Sequence, residues 1–572
     1  MAAPAACASP PWSGVVRVDQ VGYAPGETKI AVLLAPGSAA GARAAVIDAG
    51  GRTVLSPALG GSRGRWNGGF RDVRPIDLTA LTTPGVYRVR IDGPGHAESP
   101  PFRIGAGLFA PLARDAVGYL QAHRDGPDQV SPRRSPSHLA DGAATVYAGP
   151  SFDDDDQMTD DLESIGGPVD VAGGWFDAGD YLKFTHTTAY VLVVLLLVKR
   201  DGVDVPGLDD EIRHGLAWLD KMTGDTFYTQ VGIGSGGPGF RGDHDAWRLP
   251  EQDDRLDVSP GDERYYQRYR PVFRAAPLGE PISPNLAGRV AAAYALAAQV
   301  DPAHAAARLA TAARIFDRAD TDPGKLVTTE PRSFYPEDSW ADDLALGAAE
   351  LARAGRQLGD ARADEWSRSA VSWGETNAEI GRTATLSVYD VSALADLELA
   401  TSAPAFRRDL ERRLDAGVAA AAADPMRAAA GDGGPDYAAR QLGFSAMASL
   451  YRRAFGDNRY AAFATTQRGV VLGANGWGVS LVVGAGTTYP RSPHDQIATL
   501  TPGVLAGAVV NGPNDATRVE DLLTGDPSSS FTDFDRPDAM YVDDLRISAT
   551  NEPSIDFTAT GLLAFVLLGA QT

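Results

Sequence analysis

The chain changes character near residue 105, and that change requires at least two structural units. Before it, Val15-Val16-Arg17-Val18, Lys29 to Leu34 and Val86 to Ile91 are short β-rich runs. Pro25-Gly26, Gly50-Gly51 and Pro84-Gly85 punctuate them as turns. Tyr87, Val89 and Ile91 alternate with Arg88 and Arg90, the period of a strand with one buried face. Several such strands in succession predict a small immunoglobulin-like β-sandwich over 15–105. Gly93-Pro94-Gly95 and Pro100-Pro101 close it, with Phe102-Arg103-Ile104 as the last strand and 1–14 as a flexible N-terminus.

From Phe109 onward the sequence is alanine-rich with helical spacing of apolar residues. Arg289 to Val300, Arg308 to Ala319, Ser339 to Ala354, Phe406 to Ala423, Tyr437 to Ala454 and Arg459 to Leu472 read as helices. Gly and Pro collect in the long segments between, notably 223–286 and 473–540. A mainly α domain over 106–572 follows, its helices packed as a closed array with function on the loops at one end. The run Asp153 to Asp156 lacks the glycine and terminal glutamate of a calcium loop and reads as a solvated turn.

Charge narrows the partners. A net charge of −22 repels nucleic acid and anionic membranes and suits a neutral ligand, although it also simply serves solubility. One cysteine, Cys7, excludes an intramolecular disulfide and a cysteine-based zinc site, and the eight histidines form no His-Glu-x-x-His pattern. The apolar run Val191 to Val198 falls far short of the roughly 20 residues that span a bilayer and predicts a buried helix. Ala5-Ala6-Cys7 is similar to the end of a lipoprotein signal, but Pro4 stands where an aliphatic residue belongs; no complete signal peptide is visible, and a trimmed terminus is the expectation. Gly232 to Gly237 is glycine-rich like a nucleotide loop, but the sequence predicts no strand before it.

Two segments carry candidate chemistry. In Gly173-Gly174-Trp175-Phe176-Asp177-Ala178-Gly179-Asp180, two aspartates three apart among glycines can direct both carboxylates at one water. Taken alone, the same residues suit a helix-capping loop. In Asn551-Glu552-Pro553-Ser554-Ile555-Asp556, Glu552 stands just before the C-terminal apolar helix, where the helix dipole also favours an ordinary glutamate.

Together these blocks resemble the two active-site signatures of glycoside hydrolase family 9, the cellulase family of six-fold (α/α) barrels. Val18-Asp19-Gln20-Val21-Gly22-Tyr23 resembles the immunoglobulin-like domain that precedes the barrel in one branch. Asp243-His244-Asp245-Ala246-Trp247 with Pro250-Glu251, Phe334-Tyr335 with Trp340 to Leu344, and Gly512-Pro513-Asn514 agree in order, so the resemblance spans nearly the whole chain. It implies an inverting β-glycoside hydrolase in which Asp180 is the general base, Asp177 helps hold the attacking water and Glu552 is the general acid. Trp175, His244, Trp247, Tyr335, His494 and Gln496 are the implied substrate-binding residues. No cofactor is required; structural calcium is known among relatives, but no ligands are assignable. The resemblance also implies a secreted or cell-surface protein.

The departures bear on the substrate. The family's Pro-His-His-Arg loop reads Pro493-His494-Asp495-Gln496, so Gln496 stands in place of an arginine. Phe557 lacks the hydroxyl of the usual tyrosine, and Tyr437-Ala438-Ala439-Arg440 lacks an aromatic. The leading substrate is β-1,4-glucan or a cello-oligosaccharide. An exo-acting β-glycosidase for another short glycoside, such as a glucosaminide recognised by an acidic cleft around Asp495, is the enzymatic alternative. A carbohydrate-binding protein that has lost catalysis is the alternative from another class.

Overall fold

The computed structural model describes residues 12–569, apart from 131–133, 155, 238, 402, 502, 504 and 526–530. The segment around Cys7 lies outside the described residues. The N-terminal strands form two layers. One is a sheet of Val15–Arg17, Ile30–Ala35 and Asp72–Asp77. The other runs in the order Trp12–Ser13, Gly95–Glu98, Gly85–Asp92, Arg43–Asp48, Thr53–Leu55, with Phe102–Ile104 also on Gly85–Asp92. Alternation places Tyr87, Val89 and Ile91 inside and Arg88 and Arg90 outside, as the sequence predicts. Order begins earlier than expected: Trp12–Ser13 pairs in parallel with Gly95-His96, so residues 12–14 belong to the sandwich.

The helical part closes on itself. Thr185–Arg200 packs on Pro284–Val300, that helix on Ala341–Leu358, then Ser392–Leu399, Tyr437–Phe455 and Ile555–Gly569, which returns to Thr185–Arg200. Each inner helix carries one outer helix: Leu208–Met222, Ala305–Phe316, Ala363–Ile380, Pro404–Ala423, Ala461–Val471 and, on Ile555–Gly569, Ala110–Ala122. This is a six-fold (α/α) barrel. Sequence decides which ring a helix joins. Thr185 to Val198 and Ile555 to Leu568 are buried on every side and apolar nearly throughout, whereas Leu208–Met222 buries Leu208, Ile212, Leu216 and Leu219 and turns Asp209, Asp210 and Arg213 to solvent.

One feature was not legible beforehand. A five-stranded sheet lies at the loop end, in the order Ser164–Val169, Ala144–Tyr147, Val272–Arg274, Tyr228–Val231, Lys183–Phe184. Its strand Tyr228–Val231 does precede the glycine-rich segment, contrary to expectation, but no helix follows in the manner of a nucleotide loop. The sandwich packs firmly on the barrel. Arg468, fully buried, donates from Nε to Asp19 at 2.9 Å and from Nη2 to Glu27 at 2.7 Å. Gln20 Nε2 donates to Gly478 O, and its Oε1 accepts from the backbone of Thr487 and Thr488. Trp66 meets Trp477 edge to face at 5.1 Å. The Asp19-Gln20 signature is thus a docking element.

Candidate active site

At the loop end of the barrel lies a cavity of about 450 Å³. Asp177, Asp180 and Glu552 all line it, so the fold brings together two segments more than 370 residues apart in sequence. Backbone hydrogen bonds fix their register. Asp177 O accepts from Ile555 N, Gly179 O accepts from Gln496 N, His494 N donates to Asn551 O, and Asn511 N donates to Glu552 O, each at 2.9 Å. Gly179 is required there: a Cβ would lie 2.1 Å from His494 O. Gly174, at φ 80°, turns the chain against Trp218, where a Cβ would also collide.

Each carboxylate has its own setting. Asp177 is buried; Thr187 Oγ1 donates to its Oδ1 at 2.5 Å and Tyr335 Oη to its Oδ2 at 2.6 Å. Burial, with the charge of Asp556 beneath, pushes Asp177 well above the usual carboxylate range against those two donors. Asp180 accepts from Leu182 N at 3.0 Å on Oδ1 and lies 2.7 Å from His244 Nε2 through Oδ2. Burial alone would lower His244, but the hydrogen bond and charge of Asp180, with Asp243 and Glu552 behind, push it up to about 9. Glu552 receives the Gly179 N–H at 3.2 Å. Its carboxyl is raised by burial and by the charge of Asp180, while His494 and His244 pull it down. The site therefore pairs an imidazolium-supported carboxylate with a carboxyl biased toward its protonated form, the asymmetry that acid and base roles need.

Behind the Asp177–Tyr181 loop is a buried ionic frame. Lys183 Nζ lies 2.7 Å from Asp125 and 2.9 Å from Asp141, and Arg270 bridges the same pair at 2.8 and 2.6 Å while donating to Tyr181 O. Burial raises Asp125, but Lys183, His138 and Arg270 outweigh it and hold it well below the usual range. Arg248 joins Asp243 and Asp253 at 2.7 Å each, and Asp243 accepts the Tyr181 N–H. The glycine-rich segment places His244: Gly234 O accepts His244 N at 3.0 Å, and Asp245 accepts from Gly236 N and Gly242 N.

The expected substrate-binding residues divide. His244 lines the cavity, while Trp247 is exposed and sets its ring edge to face against His494 at 5.1 Å. Tyr335 lines the cavity too, but its hydroxyl is committed to Asp177. Trp175 is a correction: it is fully buried, donates from Nε1 to Glu211 and packs over Gly215, so it holds the loop and cannot touch a sugar. Gln496 is a second correction. It is buried, its Oε1 accepts from Arg248 N, and its own N–H holds Gly179, so it braces the Asp177–Tyr181 loop and is not free to grip substrate. Asp495 likewise faces His123 at 3.0 Å inside the protein and makes no acidic cleft.

Sequence reasoning missed other lining residues: Asp156, Tyr389, Asp436, Asn511 and Arg518. Asp556 stood in the C-terminal motif and was the most findable of the missed polar groups; the rest come from segments with no catalytic pattern. Among the described residues no group of three or more His, Cys, Asp or Glu is arranged to hold a metal ion.

The family model described as glycosyl hydrolase family 9 matches residues 109–565, and that of the cellulase N-terminal ig-like domain matches 13–96. Endoglucanase 3 of Oryza sativa subsp. japonica is 28% identical, over 60% of this chain and 77% of its own length. Endoglucanase C of Cellulomonas fimi is 25% identical over 95% of this chain, which spans about half (51%) of that longer protein. The crystal structure of GH family 9 endoglucanase J30 superposes with a TM-score of 0.73 at 25% identity, covering 96% of this chain and 99% of that one. With its carboxylates gathered at the mouth of a six-fold helical barrel, the chain belongs to glycosyl hydrolase family 9 and is a glycoside hydrolase with an N-terminal immunoglobulin-like domain.

Proposed function

We propose that this protein cleaves β-1,4-linked glucosides with inversion, using Asp180 as general base, Glu552 as general acid and Asp177 as the partner that holds the attacking water. The observation that carries the assignment is the contrast across one cavity: Asp180 is bound to His244, while burial favours the protonated form of Glu552. Asp180 keeps a lone pair on each oxygen for a water proton, and Glu552 has a proton for the leaving oxygen. Asp177 sits three residues before the base, its position fixed by Thr187 and Tyr335, and so defines one wall of the water site. Trp247, exposed and set edge to face against His494, would supply a ring face for a sugar unit.

We place the domain division at 12–105 and 106–572 and assign the enzyme to the cell exterior, as is typical of the family's cellulases. No helix among the described residues is long and apolar enough to cross a membrane. The deciding experiment is hydrolysis of a cello-oligosaccharide followed by proton NMR. Inversion yields the α-anomer first; initial release of the β-anomer, or no release of reducing ends from any β-1,4-glucoside, overturns the reading.

A further inference from the structure

Asp436 is a buried carboxylate lining the cavity that the reaction does not use and whose side chain no group among the described residues satisfies. It precedes helix Tyr437–Phe455, where an aspartate normally turns back to cap the first backbone N–H groups, yet its side chain makes no capping bond. Its backbone is instead left-handed, at φ 61°, a conformation few non-glycine residues adopt. It is 8% exposed, and among the described residues its carboxylate has no hydrogen bond and no ion-pair partner within 4 Å. Arg440 and Arg518 act on it only at longer range. Burial and the charge of Asp556 push it up to about 7, consistent with a carboxylate lacking a partner.

Its placement relative to the chemistry is fixed. Asp436 N donates to Asn511 Oδ1 at 3.2 Å, and Asn511 N donates to Glu552 O at 2.9 Å, so a single residue ties it to the general acid. An unpartnered buried carboxylate is costly unless a ligand completes it. A neutral sugar hydroxyl offers it one hydrogen bond. An ammonium offers several donors and a full opposite charge; Asp156 and Asp180, which also line the cavity, add to its attraction, and the cations Arg518 and His244 oppose it.

We propose that Asp436 is a specificity-determining residue that receives a protonated amine on the bound glycan, so that the cleft accepts β-1,4-linked amino-sugar units in preference to neutral glucosyl units. This rests on the reading of Asp180 and Glu552 as the bond-breaking pair only for turnover, not for binding. The acidic surface that selects the amine is Asp436, at the wall near Glu552, and not Asp495.

The test uses the full chain with fully deacetylated β-1,4-glucosamine tetramer and with cellotetraose. Asp436→Asn removes the charge at constant volume and relieves an unpaired buried carboxylate, so its thermal midpoint is at least that of the wild type. It is expected to lose about ten- to a hundredfold in kcat/KM on the glucosamine tetramer, mainly through KM, with a much smaller proportional loss on cellotetraose. Asp436→Glu, which keeps the charge, is expected to recover part of the preference. Binding is measured separately by calorimetry in the Asp180→Asn background, with and without Asp436→Asn. Tighter binding of the glucosamine tetramer that depends on Asp436 supports the proposal even where neither tetramer is cleaved, an outcome that overturns only the catalytic reading. Equal binding of the two tetramers, or equal proportional losses in Asp436→Asn, overturns the proposal itself.

Discussion

The hydroxyl of Tyr335 donates to Asp177 Oδ2 at 2.6 Å and reaches Asp556 Oδ1 at 3.4 Å, so one phenol bridges two buried carboxyls. Tyr335 is thereby a positioning residue more than a sugar platform. Tyr335→Phe keeps the ring and removes the bridge, leaving Asp177 with Thr187 alone. Losing a bond to such a group costs about 1.5–3 kcal/mol. The expected result is a drop of about ten- to a hundredfold in kcat with KM nearly unchanged, and a lower melting temperature. A rise in KM at constant kcat would assign Tyr335 to substrate binding instead.

Asp180→Asn and Glu552→Gln each remove a proposed proton-transfer group at nearly constant volume and are expected to lose about 10²–10⁴-fold in turnover. Activity is expected to fall on the alkaline side as Glu552, raised by burial, loses its proton. The charge of His494 opposes that rise, so His494→Ala is expected to move the alkaline limb to higher pH. A pH–rate profile checks both effects; an unmoved limb in His494→Ala would separate that limb from Glu552.

Fold stability has its own pH dependence. Burial raises Glu330 and Glu350 to about 7 and Asp343 and Asp396 to about 8, with Arg289 opposing the rise in Asp343 and Arg413 opposing that in Asp396. The folded state therefore holds protons that the unfolded chain has released, so this contribution is full below the ordinary carboxylate range and is lost as pH climbs through 7 to 8. Asp125, Asp141 and Asp253 are lowered by their cationic neighbours, and their contribution is lost in acid. Thermal melts are expected to peak near about pH 5 and to decline toward pH 8. A midpoint that climbs steadily to pH 8 contradicts this.

The sandwich is bound to the barrel through Arg468, whose guanidinium is sealed between Asp19 and Glu27. Removing one side of such a buried pair costs about 3–5 kcal/mol. Arg468→Met is expected to lower the melting temperature sharply, and a chain beginning at Phe109 to lose solubility by exposing the surface around Trp477 that Trp66 covers. Unchanged melting of Arg468→Met would make the sandwich a passive appendage.

What could be read from the sequence, and what could not, follows from how each feature is encoded. Tyr87, Val89 and Ile91 announce a strand because one face is wet; Val191 to Val198 announces a buried helix because none is. Asp177, Asp180 and Glu552 stand in compact local blocks, and all three line the cavity. Trp175 stands in the first of those blocks and Gln496 in the loop Pro493-His494-Asp495-Gln496, and both were assigned to substrate, because a motif records proximity in sequence and not which way a side chain turns. Asp436 and Arg518 carry no local pattern, and only closure of the barrel brings them to the site. Strand Asp72–Asp77 and the sheet strand Ser164–Val169 contain proline and little apolar alternation, so their pairing partners, not their composition, define them.

Substrate length should follow from the wall at one end of the cleft. The loop carrying Asp156 into the cavity is anchored by Phe152, Met158 and Leu162 on Tyr147, Phe240 and Tyr266. Phe240 and Tyr266 meet edge to face at 4.8 Å, so the wall is packed and not merely draped. With Gln496 turned inward and Phe557 lacking a hydroxyl, few groups remain to hold sugars beyond those next to the scissile bond. Such a cleft gains little from a long chain, since additional units find no additional contacts that strengthen in the transition state. The enzyme is therefore expected to show higher kcat/KM on oligosaccharides of about two to five units than on soluble polymer, and to release short products from chain ends. Met158→Ala, which removes one anchor of the wall, is expected to raise activity on polymer relative to oligosaccharide while leaving the carboxylates in place. Product chromatography with viscometry decides it: a rapid fall in viscosity with long random fragments from the unaltered enzyme would show an open cleft and end this reading.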